Sequence, residues 1–401
     1  METLIQKEYP YLETLYRHLH AHPELSLEEE KTSAKMAEEL EALGLQVTRK
    51  VGGKGVVAIL KNGKGPTVLV RADMDALPIL ETTGLSYASR VDAMHACGHD
   101  VHMTCLIGTA RILNQYKTQW RGTLICVAQP AEEKGQGAQA MINDGLFTRF
   151  PKPNYALALH VDSQLPTGKI GYRIGYALAS VDSVDIHLYG RGGHGAYPHL
   201  TVDPIVMASE VVLALQTLVS REIKPYETAV VTVGSIHGGT KHNIIPDQVK
   251  LELTVRSYKD EVRKQILEGI QRIATHIAKA HQAPKDPEVH VTESIPSTYN
   301  DPQLGEKLIS CFRKTFGEKN VVEKDPEMGG EDFGLLGRAG IPAFLFRVGS
   351  VSPEKIKASQ EPKSPPLPTL HSACYAPDPQ STITVGIRAM ATAVLELLTS
   401  T

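Results

Sequence analysis

The 401-residue chain is poor in the features that would place it in several large classes. Its five cysteines, at 97, 105, 126, 311 and 374, are an odd set without a Cys-x-x-Cys pair. That argues against a disulfide framework or a zinc ribbon and fits a reducing compartment, so a cytoplasmic location is expected. Charge is nearly balanced: 42 Lys and Arg stand against 45 Asp and Glu, for a net charge of −3, with no long basic run. Without a basic field, neither nucleic acid nor an anionic membrane is an expected partner. No run of roughly 18 apolar residues is found, so no bilayer span is expected. The N-terminus reaches Lys7 and Glu8 before an apolar stretch develops, unlike a signal peptide. No internal repeat with a period of roughly 20–50 residues is visible.

What is present is the mix of a globular protein, 42% hydrophobic and 22% charged, in a chain long enough for two domains. Ser26 with Glu29 reads as a capping box, and Gly44 as the stop of the helix carrying Met36, Leu40 and Leu43. Strand-like runs at 56–60, 67–70, 123–127 and 155–159 alternate with helical patterns at 103–116 and 139–143. Buried strands alternating with helices predict a mostly parallel sheet covered on both faces. The style then changes. A half-exposed strand at 181–189, a helix at 204–220, strands at 228–236 and 249–256, an amphipathic helix at 260–280 and a strand at 288–292 follow the ferredoxin-like order. Helices at 304–316, 333–337 and 382–398 and a strand at 343–348 resume the first style. The expected fold is α/β: a catalytic domain of two segments, 1–179 and 295–401, whose mostly parallel sheet is flanked by helices. Between them lies an inserted ferredoxin-like α+β satellite domain, 180–294. The Pro-rich stretch 361–368 reads as a stiff surface loop.

Three polar clusters fall at or just after predicted buried strands: Asp73 with Asp75, Glu132 with Glu133, and His160. Ligands of open α/β sheets bind outside the carboxyl ends of strands, so these clusters are expected to converge. The strongest local signal is His95-Ala96-Cys97-Gly98-His99-Asp100-Val101-His102, where a thiolate and imidazoles crowd together as suits zinc and similar ions. Isolated histidines mostly cap or solvate, and an isolated cysteine usually packs as a small hydrophobe. Three histidines and a cysteine within eight residues favour ligation instead. A rival reading makes Cys97 a catalytic thiol with a histidine base, but the Glu132-Glu133 pair has no role in it. Adjacent glutamates point in different directions, so one can bind metal while its neighbour takes a proton from metal-activated water. The Gly190–Gly195 stretch matches Gly-x-Gly-x-x-Gly, yet it follows a half-exposed strand and no helix opens after it, so nucleotide binding is rejected there. His194 on this loop is a candidate to reach substrate. His18, His20 and His22 read as a helix end before Pro23 rather than as ligands.

Taken together these residues resemble the aminoacylase and carboxypeptidase G type metallohydrolases, and within them the amidohydrolase branch of hippurate and auxin-conjugate hydrolases. The matching pieces are His22-Pro23-Glu24-Leu25-Ser26, Arg71-Ala72-Asp73-Met74-Asp75, the Cys97 cluster, 129–133 and Ala158-Leu159-His160. Gly193-His194-Gly195, 242–246, 329–333 and Leu370-His371-Ser372 follow in the family's order over essentially the whole chain. The resemblance implies that Cys97, His99, Glu133, His160 and His371 bind two divalent metal ions, zinc or manganese, with Glu132 as general base and Asp73 supporting them. It implies that His194 polarises the scissile carbonyl and that Asn243 and Arg256 contact the substrate's carbonyl and carboxylate. The satellite domain matches the family's dimer-forming domain, so a homodimer is expected. Arg71 stands where peptidase branches place a ligand histidine, and Cys97 where they bridge the metals with Asp. Hydrolysis of the amide bond of a small N-acyl amino acid is therefore the leading expectation. A carboxypeptidase or dipeptidase, and a non-catalytic metal-binding protein, are the alternatives.

Overall fold

Apolar runs and their spacing account for the elements of the computed structural model, which describes residues 1–362 and 364–399. The chain forms two units: Met1–Ala177, Tyr299–Asp325 and Asp332–Thr401 make the first, and Leu178–Thr298 with Pro326–Glu331 make the second.

In the first unit, helices α1 (Glu2–Ala21) and α2 (Glu30–Ala42) precede strands β1 (Gln46–Val51), β2 (Gly55–Asn62) and β3 (Thr67–Asp73). Helix α3 (His99–Gln115), β4 (Gly122–Gln129), α4 (Gly137–Asn143), β5 (Tyr155–Pro166) and β6 (Ile170–Tyr172) follow. With Ala343–Val351 and Val321–Glu323 these strands make one eight-stranded sheet in the order β1, β2, β4, β3, β5, Ala343–Val351, β6, Val321–Glu323. Its four central strands are parallel, and antiparallel pairings occur toward both edges. The central strands are buried on both faces, as the unbroken apolar runs of β3, β4 and β5 require. Helix α3 is buried over nearly its whole length and packs against α1 and the terminal helix Pro379–Leu398. Helix α1, of which the sequence reading identifies only the end, lays Ile5, Leu12, Leu15 and Leu19 into the same core.

The strand of the second unit that the sequence places at 181–189 runs over Ser180–Tyr189. With Ala229–His237, Gln248–Ser257 and Glu288–Ile295 it forms a four-stranded antiparallel sheet, ordered Ala229–His237, Gln248–Ser257, Ser180–Tyr189, Glu288–Ile295. Helices Pro204–Thr217 and Asp260–Ala280 cover it, closing a separate core around Val184, Ile186, Met207, Leu251 and Ile270. This is the ferredoxin-like arrangement. The segment 326–331, which the sequence reading leaves in the last stretch of the chain, joins this unit. Ala179 N donates to the carbonyls of Glu327 and Gly329, both at 3.1 Å, and Tyr258 Oη donates to Glu327 O at 3.2 Å.

Two local expectations are corrected. Ser26 and Glu29 do not form a capping box: the Glu24 carboxylate caps α2 by accepting from Lys31 N at 3.1 Å and Thr32 N at 2.8 Å, the Ser26 hydroxyl donates to Asp75 at 2.6 Å, and Glu29 accepts from Ala131 N at 2.8 Å. His160 does not end its strand, because β5 continues to Pro166. Two helices, Pro204–Glu222 and Pro379–Leu398, are long and apolar enough by composition to cross a membrane, although neither is an unbroken apolar run. The second is largely buried against α1 and α3, and a core helix meets the same length and composition criteria. Residue 363 of the Pro-rich stretch lies outside the described residues.

Candidate active site

Strand register brings the first ligand candidates level. Arg71 of β3 aligns with Val127 of β4 and Ala158 of β5, and Asp73 aligns with Gln129. Two residues beyond Ala158, His160 therefore reaches the height of Asp73, at the carboxyl side of the parallel strands. Past Gln129 the chain turns sharply. Ala131 takes a left-handed φ of 50°, and its carbonyl accepts from Gln136 N and Gly137 N. Gly137 is required, since a Cβ there would lie 1.5 Å from the Pro130 carbonyl oxygen. This turn presents Glu132 and Glu133, and Glu133 N is fixed by donating to Asp75 at 2.9 Å. Cys97 and His99 flank Gly98, whose φ of 79° starts α3. A Cβ on Gly98 would meet Val161 at 2.6 Å.

Cys97, His99 and His160 form one group whose donor atoms lie within 4.8 Å of one another, and Cys97, Glu133 and His371 form another. The two share Cys97, so all five expected ligands converge on its sulfur. His99 Nδ1 is within 2.9 Å of the Asp75 carbonyl, and His160 Nδ1 within 2.8 Å of the Val161 carbonyl. Each carbonyl holds the proton on Nδ1 and leaves Nε2 as the free donor, the usual way a metal-binding histidine is oriented. His160 Nε2 lies 3.6 Å from Cys97 Sγ. His99 Nε2 and Glu133 Oε1, 3.9 Å apart, are buried without a hydrogen-bond partner. Two uncompensated buried polar atoms facing each other are costly unless a cation sits between them, so the donor set fits divalent metal. Thiolate with imidazole and carboxylate suits zinc and its neighbours.

The electrostatics agree. Burial, reinforced by Glu133, pushes the Cys97 thiol up to about 12 in the absence of metal, opposite to the depression that marks a nucleophilic cysteine. Burial opposes charge on His99, but Asp73 and the bond to Asp75 outweigh it and hold His99 well above its ordinary range. A positive charge is favoured at this point. Burial with Arg347 nearby holds His160 well below its ordinary range, so it is neutral and ready to ligate.

His371 is exposed on a loop, with a left-handed φ of 66°. Its backbone N donates to Ala96 O at 2.9 Å, and its Nε2 lies 3.5 Å from Glu133. Strained backbone at a non-glycine ligand is typical of a site that dictates its own geometry. Glu132 is 7% exposed, and its carboxylate approaches the same His99 nitrogen at 3.9 Å.

Asp73 is wholly used in support: Oδ1 meets His102 Nδ1 at 2.6 Å, and Oδ2 accepts from Arg71 at 2.6 Å. His102 Nε2 accepts from Val161 N at 3.0 Å, so both its ring nitrogens are taken and it is no ligand. His95 is buried outside the donor groups, and burial holds it down at about 4, in its neutral form. Sequence reasoning missed a supporting network. Arg71 also donates to Gln129 at 2.9 Å and to Asp332 at 3.0 Å, and Asp332 accepts from Gln129 and from Ala138 N. The Arg71-x-Asp73 alternation on one strand face was the available signal. His20 is also more than a helix end, being buried between Asp100 at 2.7 Å and Glu81 at 3.1 Å.

The remaining candidates lie in the second unit. His194 is exposed, and its Nδ1 accepts from Ala196 N at 3.0 Å, which leaves the proton on Nε2. Gly195 N donates to Asn243 O at 2.9 Å, tying His194 and Asn243 into one short ribbon. Arg256, on Gln248–Ser257, donates to Thr254 at 3.0 Å and to Met328 O at 3.4 Å.

A buried His–Cys–carboxylate donor set at the carboxyl side of a parallel sheet defines a metal-dependent hydrolase. The chain belongs to Peptidase family M20/M25/M40, whose model matches residues 69–372. It is 37% identical to N-acetylcysteine deacetylase of Bacillus subtilis, over 84% of this chain and 88% of that protein. It is 36% identical to IAA-amino acid hydrolase ILR1-like 2 of Arabidopsis thaliana, over 85% of this chain and 77% of that protein. The crystal structure of the YXEP protein of Bacillus subtilis, a dinuclear metal-binding peptidase of the M20 family, superposes with a TM-score of 0.81 at 31% identity, covering 99% of this chain and 100% of that one.

Proposed function

We propose that this protein hydrolyses the amide bond of N-acyl-L-amino acids, of acetyl, benzoyl or aryl-acetyl type, releasing a carboxylic acid and a free amino acid. The observation that carries the reading is the shared thiol: two donor groups meet at Cys97, while Glu132 stands beside them. Cys97, His99, Glu133, His160 and His371 would hold two divalent ions, zinc or manganese. When bound, these ions supply Lewis acidity at the amide carbonyl and lower the pKa of water from about 15.7 toward about 7. Glu132 takes the proton of the attacking water and returns it to the amine nitrogen as the C–N bond breaks. His194 donates from Nε2 to the carbonyl oxygen as negative charge develops there. Asn243 and Arg256 hold the substrate's carbonyl and carboxylate, and Asp73 steadies the ligand shell through Arg71 and His102. The relatives named for deacetylation of N-acetylcysteine and hydrolysis of IAA-amino acids support this substrate class. We further propose a cytoplasmic homodimer joined through the second unit.

The test is a panel of N-acetyl, N-benzoyl and N-indoleacetyl amino acids, beside free-amine dipeptides, assayed after chelation and after re-addition of zinc or manganese. Metal-restored turnover of the acylated substrates is expected. Turnover of the dipeptides alone would move the reading to a dipeptidase, and none with any substrate or metal would leave a binding protein.

A further inference from the structure

The chain between Asp75 and Cys97 is a long loop without helix, closed at its neck by an antiparallel bridge in which Leu77 and Met94 exchange hydrogen bonds at 2.9 and 3.0 Å. Such a loop needs an internal anchor to keep one shape. Here the anchor is Glu81, whose side chain has no exposed surface. One carboxylate oxygen accepts from the Thr83 hydroxyl and meets His20 Nε2 at 3.1 Å, and the other accepts from Ser89 N at 2.6 Å. The second ring nitrogen of His20 meets Asp100 at 2.7 Å, on the first turn of α3 directly after His99. With a carboxylate on each nitrogen, the ring donates from both and is an imidazolium. Its charge offsets two buried carboxylates that would otherwise repel.

The loop so anchored grips the segment that carries His371. Thr82, next to Glu81, donates from N to the Ala373 carbonyl at 2.8 Å, and Ala96 O, at the loop's other end, accepts from His371 N at 2.9 Å. His371 is the one exposed member of the five donors and sits on a left-handed backbone, so its place is dictated by what holds its loop.

We propose that His20 is a positioning residue for the metal centre: by clamping Glu81 to Asp100 it fixes the 77–96 loop, and through Thr82 it sets His371 against Cys97 and Glu133. The inference rests on the two-ion reading of the donor set. It assigns the clamp to one half of the centre, because His99 and His160 are oriented by the Asp75 and Val161 carbonyls, which the clamp does not touch. Loss of His20 should therefore weaken the ion held by Glu133 and His371 while sparing the ion held by His99 and His160.

The experiment is a zinc titration of the full-length protein against a chromophoric chelator, comparing the unmodified chain with His20→Gln and Glu81→Gln and monitoring thermal unfolding of each. Two ions are expected in the unmodified chain. In either variant one site should lose affinity by roughly 10–100-fold, the usual effect of removing an outer-shell partner. The other site should stay unchanged, and the double variant should be no worse than the singles, as residues acting through one contact require. If His20→Gln does not fold, Glu81→Gln carries the test alone. Equal weakening of both sites, or two unaltered sites, overturns the clamp. An unmodified chain that binds fewer than two ions instead refutes the two-ion reading on which the inference stands.

Discussion

Glu132→Gln separates the two adjacent glutamates most sharply. The substitution keeps side-chain volume in a position only 7% exposed, so packing is preserved, and it removes the basic oxygen and one negative charge. Both carboxylates come within 3.9 Å of His99 Nε2, but Glu133 also belongs to the group with Cys97 and His371 and has the orphaned oxygen. Metal content should therefore survive loss of Glu132 and fail on loss of Glu133. Removing a general base costs about 10²–10⁴-fold. At about 1.36 kcal/mol per decade, that raises the barrier by roughly 3–5 kcal/mol. The assay is kcat on the best N-acyl amino acid of the panel, with bound metal counted by elemental analysis on the same samples and Glu133→Gln run in parallel. Glu132→Gln should hold the full complement with kcat reduced by at least about 100-fold. Near-normal kcat, or loss of an ion from Glu132→Gln with retention in Glu133→Gln, would mean that the two residues have exchanged roles.

His194→Ala should cut kcat strongly without loss of metal, since an oxyanion donor contributes about 2.7–4 kcal/mol. We expect it to act on a substrate held by the partner subunit, so heterodimers of His194→Ala with Glu132→Gln should recover part of the activity; verified heterodimers that stay inactive reject action in trans. Among the five thiols only Cys374 is exposed, so a thiol-reactive dye should show one fast equivalent per folded chain, and a covalent acyl-enzyme on Cys97 would contradict its role as ligand. His20 is raised from 6.5 to about 9: burial works against its charge, but Asp100 and Glu81 overcome it. A raised value means that the contribution is complete below about pH 6.5 and is lost as pH rises through about 9, a change of roughly 3 kcal/mol. Unfolding free energies measured from pH 6 to 10 should fall more steeply for the unmodified chain than for His20→Gln, and parallel curves would refute the charged clamp.

The sequence by itself determined most of the elements and the donor chemistry. Period and apolar run length, local quantities both, place β3, β4 and the helix Asp260–Ala280 within a few residues of where they lie. The crowding of Cys97 and His99, and the pairing of Glu132 with Glu133, announce a metal site because no ordinary core or surface calls for those residue types together. Which oxygen or nitrogen serves which purpose was decided only by tertiary structure. Ser26 and Glu29 have the spacing of a helix cap, yet the fold directs them to Asp75 and Ala131, partners 49 and 102 residues away. His102 looks as good a ligand as His99 in sequence. It is withdrawn because Asp73 and Val161 N occupy both its nitrogens. His20 reads as a helix end because neither Glu81 nor Asp100 is near it in the chain. A ligand is a residue whose lone pair remains unclaimed once the chain has folded, and that remainder depends on contacts between distant segments, which no local pattern encodes.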